Sequence, residues 1–341
     1  MPYELVEQDD LKKMDLRTLV KIDPSPFRIT YNDPAMFIGS CFASSIGKQF
    51  ETGRLPVMIN PSGTVFNPVS VCNTLDTITS GKKYESSDLL SYGGKWLSFN
   101  HYTNFSSDDP QAVLEKINTR TDEAAGFIAN AKFLFITFGT ARVYRWKKSG
   151  KIVSNCHKIP ASEFTDDMLS VAEITAVWKN QLDRLKLLFP DLKIIFTVSP
   201  VRHWKSGAHG NNISKSVLFL AVEELLCHPS KPGYFPAYEL LIDDLRDYRF
   251  YAGDMLHPSD TAIEYIWEAF SDCYFDGHTK MLWAEISSIT RAMSHRIQTT
   301  SAKEIEKFAK SLLARIETVE KKDATINLDL ERAYFQGLLS I

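Results

Sequence analysis

Three residues of this chain have the types and the neighbours needed for nucleophilic chemistry. Cys41 follows Gly39-Ser40 at the end of a short apolar run, AMFIG, and is followed by Phe42, Ile46 and Phe50 at four-residue intervals. That spacing reads as a strand, a tight turn and a helix start. Gly39 can take backbone angles other residues avoid, and the unpaired amides of a helix N-terminus favour a thiolate and can hold an oxyanion. More than two hundred residues later, Asp254 precedes His257 by three positions in GDMLHPS, ahead of an apolar-periodic stretch from Ala262 through Phe270. An Asp at that spacing can orient an imidazole so that its other nitrogen faces a nucleophile.

The same residues have plainer uses. Gly39 and Ser40 can simply make a turn and a helix cap, with Cys41 a small buried hydrophobe. Taken alone, Asp-x-x-His is a weak signal, and the joint presence of both segments is what favours catalysis. Within the turn, Cys41 projects from the helix start, whereas Ser40 is placed to turn its oxygen onto the free amides. Cys41 is therefore read as the nucleophile, with Ser40 as the alternative.

At Gly39-Ser40-Cys41-Phe42-Ala43 the sequence matches the motif after which the GSCFA family is named. The chain resembles that family, which is in turn similar to the SGNH (GDSL-type) hydrolases. The resemblance continues through Asn67-Pro68, Phe138-Gly139-Thr140-Ala141, Asn155-Cys156-His157-Lys158, Ser199-Pro200-Val201-Arg202 and Asp254 to His257, roughly residues 37–275. It implies a three-layer α/β/α domain with a mostly parallel, flavodoxin-like sheet, the nucleophile after the first strand, and Asp and His in a late loop. Where SGNH enzymes carry Gly-Asp-Ser, this chain carries Gly39-Ser40-Cys41, which implies a Cys nucleophile in place of ordinary serine esterase chemistry. Where they carry Gly-x-Asn, it carries Gly139-Thr140-Ala141, so Asn67, Asn100 or Asn155 replaces the oxyanion donor or amides alone form the hole.

The elements that must position these groups follow in chain order. Residues 1–34, with Asp/Pro-rich turns at Asp23-Pro24-Ser25-Pro26 and Asn32-Asp33-Pro34, read as an arm along the domain edge. Residues 35–277 read as the α/β domain. Leu55 to Ile59 is a second strand, and Pro61-Ser62-Gly63 a turn leading to a helix over Val69 to Ile78. Gly63 is a candidate oxyanion amide and Asn67 a candidate pocket liner, against a turn glycine and a helix cap. Residues 80–110 are irregular yet rich in aromatics, which suggests an ordered lid or substrate wall. There His101 either binds substrate or belongs to an aromatic cluster.

Ala112 to Ala131 is helical and feeds the buried strand Lys132 to Phe138. Ligands bind at strand C-termini of parallel sheets, so Gly139, Thr140 and Arg142 are expected beside Cys41. A hairpin over Val143 to Trp146 and Ile152 to Val153 is expected to deliver Asn155, Cys156 and His157 back to the site. Adjacent residues point opposite ways in extended chain, so Cys156 and His157 are not read as a catalytic pair. A helix over Ala172 to Phe189 precedes a strand over Lys193 to Val198. After it, Arg202 offers a fork of donors for a substrate carboxylate or phosphate, or forms a structural ion pair. A helix over Val217 to Leu226 follows, and Phe250-Tyr251 reads as a short last strand. Residues 278–341 read as a helical appendage in which Ile305, Phe308, Leu312, Ile316 and Val319 form one apolar stripe. It is buried either on its own domain or in a homodimer.

Composition excludes several classes. A net charge of -3 gives no general basic field for nucleic acid. The N-terminus lacks a charged start followed by an apolar core, and no stretch approaches the eighteen or more apolar residues of a membrane helix, so no membrane association is expected. Five cysteines without C-x-x-C spacing fit reduced thiols and a cytoplasmic setting. No metal-ligand spacing, phosphate loop or dinucleotide fingerprint is present, so no metal or cofactor is expected. The expected activity is hydrolysis or transfer of the acyl group of a small-molecule or carbohydrate ester by Cys41, His257 and Asp254. The alternative is a binding protein that keeps the pocket without the chemistry.

Overall fold

The computed structural model describes residues 18–294 and 301–339; the first 17 residues of the expected arm lie outside them. Strand β1 (Ala35–Gly39) leads into helix α1 (Cys41–Thr52), then β2 (Val57–Ile59) and α2 (Pro68–Ser80). The aromatic-rich stretch holds a hairpin, β3 (Leu90–Tyr92) with β4 (Lys95–Leu97), before α3 (Pro110–Ile128) and β5 (Phe133–Phe138). A three-stranded antiparallel insertion of β6 (Arg142–Trp146), β7 (Ile152–Val153) and β8 (Phe164–Met168) precedes α4 (Val171–Leu188) and β9 (Lys193–Val198). Then come α5 (Gly207–Leu226), β10 (Gly233–Tyr234), α6 (Ala237–Glu239), α7 (Asp260–Tyr274), α8 (Gly277–Ser294), α9 (Ala302–Lys322) and α10 (Asp329–Leu338).

The central sheet has five parallel strands in the order β10-β9-β5-β1-β2. In order of appearance along the chain this is 2-1-3-4-5, a doubly wound arrangement. Alternation along each strand sorts side chains between two cores. Phe37, Phe133, Phe135 and Ile195 face α1 and α7, while Met36, Ile38, Leu134, Ile136 and Phe196 face α2, α4 and α5. Strands apolar on both faces are what a sheet covered by helices on both sides requires.

The C-terminal segment is continuous with the first of these cores. Leu282 and Ile286 of α8, Leu312 and Ile316 of α9 and Phe335 of α10 join the cluster that holds Phe37, Phe50 and Trp267. Trp283 Nε1 donates to Gln49 O at 2.8 Å, and Glu331, buried in α10, is ion-paired with Arg54 at the end of α1. The apolar stripe of α9 is thus covered within the chain. From residue 18 onward the arm lies on the same side, with Val20 N donating to Asp244 Oδ1 at 2.7 Å and Ile29 bridging to Phe275.

Several elements differ from the sequence reading. The short strand expected at Phe250-Tyr251 is a 3₁₀ turn over Tyr248–Phe250, because Asp247 Oδ1 accepts from Arg249 N and caps it. Tyr251 makes only an isolated bridge to Pro258. Helix α5 begins ten residues before the expected Val217. Strands β3, β4, β8 and β10 were not anticipated, and the expected helical appendage comprises α8, α9 and α10.

Candidate active site

The turn between β1 and α1 is built on Gly39. Its φ is +147°, and a Cβ there would lie 2.2 Å from the Thr137 carbonyl oxygen of β5, so no side chain fits. Asn60, just past β2, ties the turn together: its Oδ1 accepts from Gly39 N at 2.8 Å and its Nδ2 donates to Ser44 Oγ at 2.8 Å. Ser40 is buried as the N-cap, its Oγ accepting from Phe42 N at 3.3 Å. Cys41 is the first helical residue, half-buried, and its own amide has no carbonyl four residues earlier within the helix.

The partner groups come from the loop before α7. Asp254 Oδ1 accepts from the amides of Leu256 and His257, both at 2.9 Å, and its Oδ2 lies 2.6 Å from His257 Nδ1. His257 Nε2 lies 3.3 Å from Cys41 Sγ. Since the carboxylate only accepts, Nδ1 carries the proton of a neutral imidazole, and the Nε2 lone pair faces the thiol. The amides of His257 and Leu256, then the imidazole, hold the Asp254 carboxyl down to about 2. Burial pushes the Cys41 thiol up. The amides of Cys41 and Phe42 and the charge of Lys215 pull it the other way without prevailing, and Asp254 adds to the upward push. The lowered thiol expected from the helix N-terminus alone is therefore not found, and Cys41 needs a base to ionise.

Cys41, Ser40 and His257 line a cavity of about 340 Å³ at the C-terminal ends of β1, β5 and β9. Gly139, Thr140 and Arg202 line it as well, as the sequence suggested, and Phe66, Tyr102 and Val201 add apolar walls. Other expected residues lie elsewhere. Gly63, at φ +79°, is needed because a Cβ there would meet Tyr102 Cβ at 2.2 Å; it seats Tyr102 rather than lining the cavity. Asn67 is the buried N-cap of α2, accepting from Ser70 N at 2.8 Å. Arg142 turns its guanidinium onto Asp166 of β8 at 2.8 Å.

His101 and His157 belong to the packing of the aromatic segment. His101 is buried, with Nδ1 3.0 Å from Ser98 Oγ and its ring edge-on to Tyr84, and burial holds its imidazole down to about 3. His157 Nε2 lies 2.8 Å from Ser98 O, and Asn155 Oδ1 accepts from His157 N at 2.8 Å. The hairpin insertion thus carries these two residues to the aromatic segment, which in turn presents Tyr102 to the cavity.

The amide supply differs too. Gly139 N and Thr140 N both donate to Phe66 O, at 2.7 and 3.1 Å, and Gly63 N donates to Asn60 O at 2.7 Å. Of the amides considered for an oxyanion, that of Cys41 remains. Asn100 donates to the Tyr84 hydroxyl at 2.9 Å, so no expected asparagine replaces the missing one.

One site residue had no sequence signal. Lys215 of α5 is buried, and its Nζ donates to Gly139 O at 2.7 Å and Ser199 O at 2.6 Å, clamping the ends of β5 and β9. Burial holds its ammonium down to about 7; Cys41 raises it and Arg202 lowers it. Among the described residues no three His, Cys, Asp or Glu side chains converge as a metal site, and no helix is long and apolar enough to cross a membrane.

No curated protein matches the chain. The model of the GSCFA family matches residues 34–270, from the residue before β1 into α7, and includes Cys41, Asp254 and His257. With more than half of the 341 residues inside that match, the protein belongs to the GSCFA family.

Proposed function

We propose that the protein hydrolyses or transfers the acyl group of an ester, with Cys41 as nucleophile in an SGNH-like arrangement and without a cofactor. The reading rests on the run from Asp254 Oδ2 to His257 Nδ1 at 2.6 Å and from His257 Nε2 to Cys41 Sγ at 3.3 Å. His257 Nε2 takes the thiol proton as sulfur attacks the acyl carbonyl. The Cys41 amide donates to the resulting oxyanion, and Lys215 supplies positive charge beneath it. On collapse, His257 returns the proton to the departing alcohol oxygen, leaving an acyl thioester on Cys41. Water or a second alcohol, deprotonated by His257, then takes the acyl group and regenerates the thiol. A small-molecule or carbohydrate ester suits the cavity, and a reducing, cytoplasmic setting suits a working thiol.

A second reading, a binding protein that retains the pocket without turnover, is favoured by one observation: Gly63, Gly139 and Thr140 have no amide left for an oxyanion. Turnover of an activated acyl ester separates the two. Cys41→Ala should abolish it, and Ser40→Ala should weaken it about tenfold by loosening the cap. Loss in Ser40→Ala with retention in Cys41→Ala would transfer the role to the hydroxyl; no turnover by the wild type would favour the binding protein.

A further inference from the structure

Arg202, like Lys215, is a cation of the site without a counter-charge among the described residues. Among the described residues its guanidinium has no carboxylate at ion-pair distance, whereas Arg142, Arg246 and Arg249 rest on Asp166, Asp243 and Asp247. It stands over the Trp204 ring, 5.9 Å from the centroid. Arg202 also lines two cavities: the one holding Cys41 and His257, and a second of about 640 Å³ across the Asp254–His257 loop.

The second cavity is walled by side chains that folding leaves open to water. Trp204, Tyr248 and Met255 are 48%, 76% and 51% exposed, with Tyr251 and Leu256 beside them. Its two carboxylates are engaged, Asp247 with Arg249 and Asp254 with His257. What remains is a largely apolar lining with the uncommitted guanidinium of Arg202 in it. Exposed apolar patches of this kind mark binding sites, and a planar fork of donors matches carboxylate and phosphate. The two cavities share Arg202, and Asp254 and Leu256, beside His257 in its loop, line the second.

We propose that this second cavity is a subsite for the alcohol part of the substrate, a ring-bearing group carrying a phosphate or carboxylate. The anion lies on Arg202 and the ring lies across Trp204 and Tyr248. The smaller cavity then holds the acyl group, and the ester oxygen passes beside His257, which returns the proton to it. The assignment of ends rests on Cys41 being the nucleophile; the binding itself does not.

Calorimetric titration with phenyl phosphate, benzoate, phenol and inorganic phosphate tests this in the wild type and in Cys41→Ala, Arg202→Met and Tyr248→Ala. One or both ring anions should bind about tenfold more tightly than phenol or inorganic phosphate, because only they use both the guanidinium and the aromatic wall. The tighter of phenyl phosphate and benzoate identifies the anion. Arg202→Met should weaken that binding about tenfold and Tyr248→Ala about threefold. No saturable binding of either ring anion, or unchanged affinity in Arg202→Met, overturns the subsite. Binding that is lost in Arg202→Met, in a wild type that turns over no ester, leaves the subsite standing and removes the nucleophile. Ester turnover with Arg202-independent binding does the reverse.

Discussion

Cys41 is under opposed influences: burial raises its thiol, while two amides and the Lys215 ammonium favour the thiolate. Lys215 has no carboxylate of its own among the described residues, only the carbonyls of Gly139 and Ser199, so charge developing at Cys41 is its natural complement. The other charged and titratable groups around it are Arg202 and His203, with the Tyr238 ring 5.7 Å from the ammonium. Removing the cation takes away a charge that lowers the thiol. Lys215→Met, in protein that keeps its native melting transition, should therefore slow Cys41 alkylation below about pH 7, where the ammonium is charged. An unchanged rate there would reduce Lys215 to a clamp between strand ends. The two segments that meet at Cys41 and His257 were legible in sequence because each is local, a Gly turn with a helix start and an Asp-x-x-His loop. Lys215 was not, since a lysine in an amphipathic helix reads as solvated until the fold shows its ammonium buried against the carbonyls of Gly139 and Ser199.

At the scale of elements, the sheet was readable where strands are continuous apolar runs, as at Phe133–Phe138 and Lys193–Val198. It was unreadable where pairing, not pattern, makes the strand. β8 is Phe-Thr-Asp-Asp-Met, and its register against β6 brings Asp166 to Arg142, which removes Arg142 from the cavity. The segment from Tyr84 to α3 makes its own small core, with Tyr84, Phe105 and Ile117 buried and His101 against Tyr84. His101 must stay neutral there. Its folded value near 3 lies below the usual 6.5, so the unfolded chain binds the extra proton and stability is lost as pH falls below about 6.5 toward 3. Between pH 6.5 and 5 this amounts to about 2 kcal/mol. Thermal melting across that range should show the wild type losing more stability than His101→Phe; parallel curves would mean the imidazole takes its proton without cost.

For the whole molecule, the C-terminal helices complete a core that α1 and α7 leave open. The amphipathic stripe of α9 was plain from i, i+3, i+4 spacing, but the partner it faces is set by contacts across more than two hundred residues, which no local pattern records. Glu331 illustrates the coupling: it is buried in α10 and its Oε1 accepts from Arg54 Nε at 2.6 Å. Arg54→Met leaves that carboxylate without its cation and should cost about 3 kcal/mol, the lower end for a broken buried pair because the Arg54 side chain is 30% exposed. Urea unfolding followed by tryptophan fluorescence should show a single transition at lower urea; an unaltered midpoint would mean that α10 does not support the fold.

The central claim is that His257 activates Cys41. Its most direct measurement is mass-spectrometric mapping of alkylation by limiting iodoacetamide at neutral pH, with the exposed Cys227 as internal reference. The geometry predicts that Cys41 is modified ahead of Cys227, and that His257→Ala slows Cys41 by about tenfold or more while leaving Cys227 unchanged. Modification of Cys41 no faster than Cys227, at a rate indifferent to His257→Ala, would contradict it.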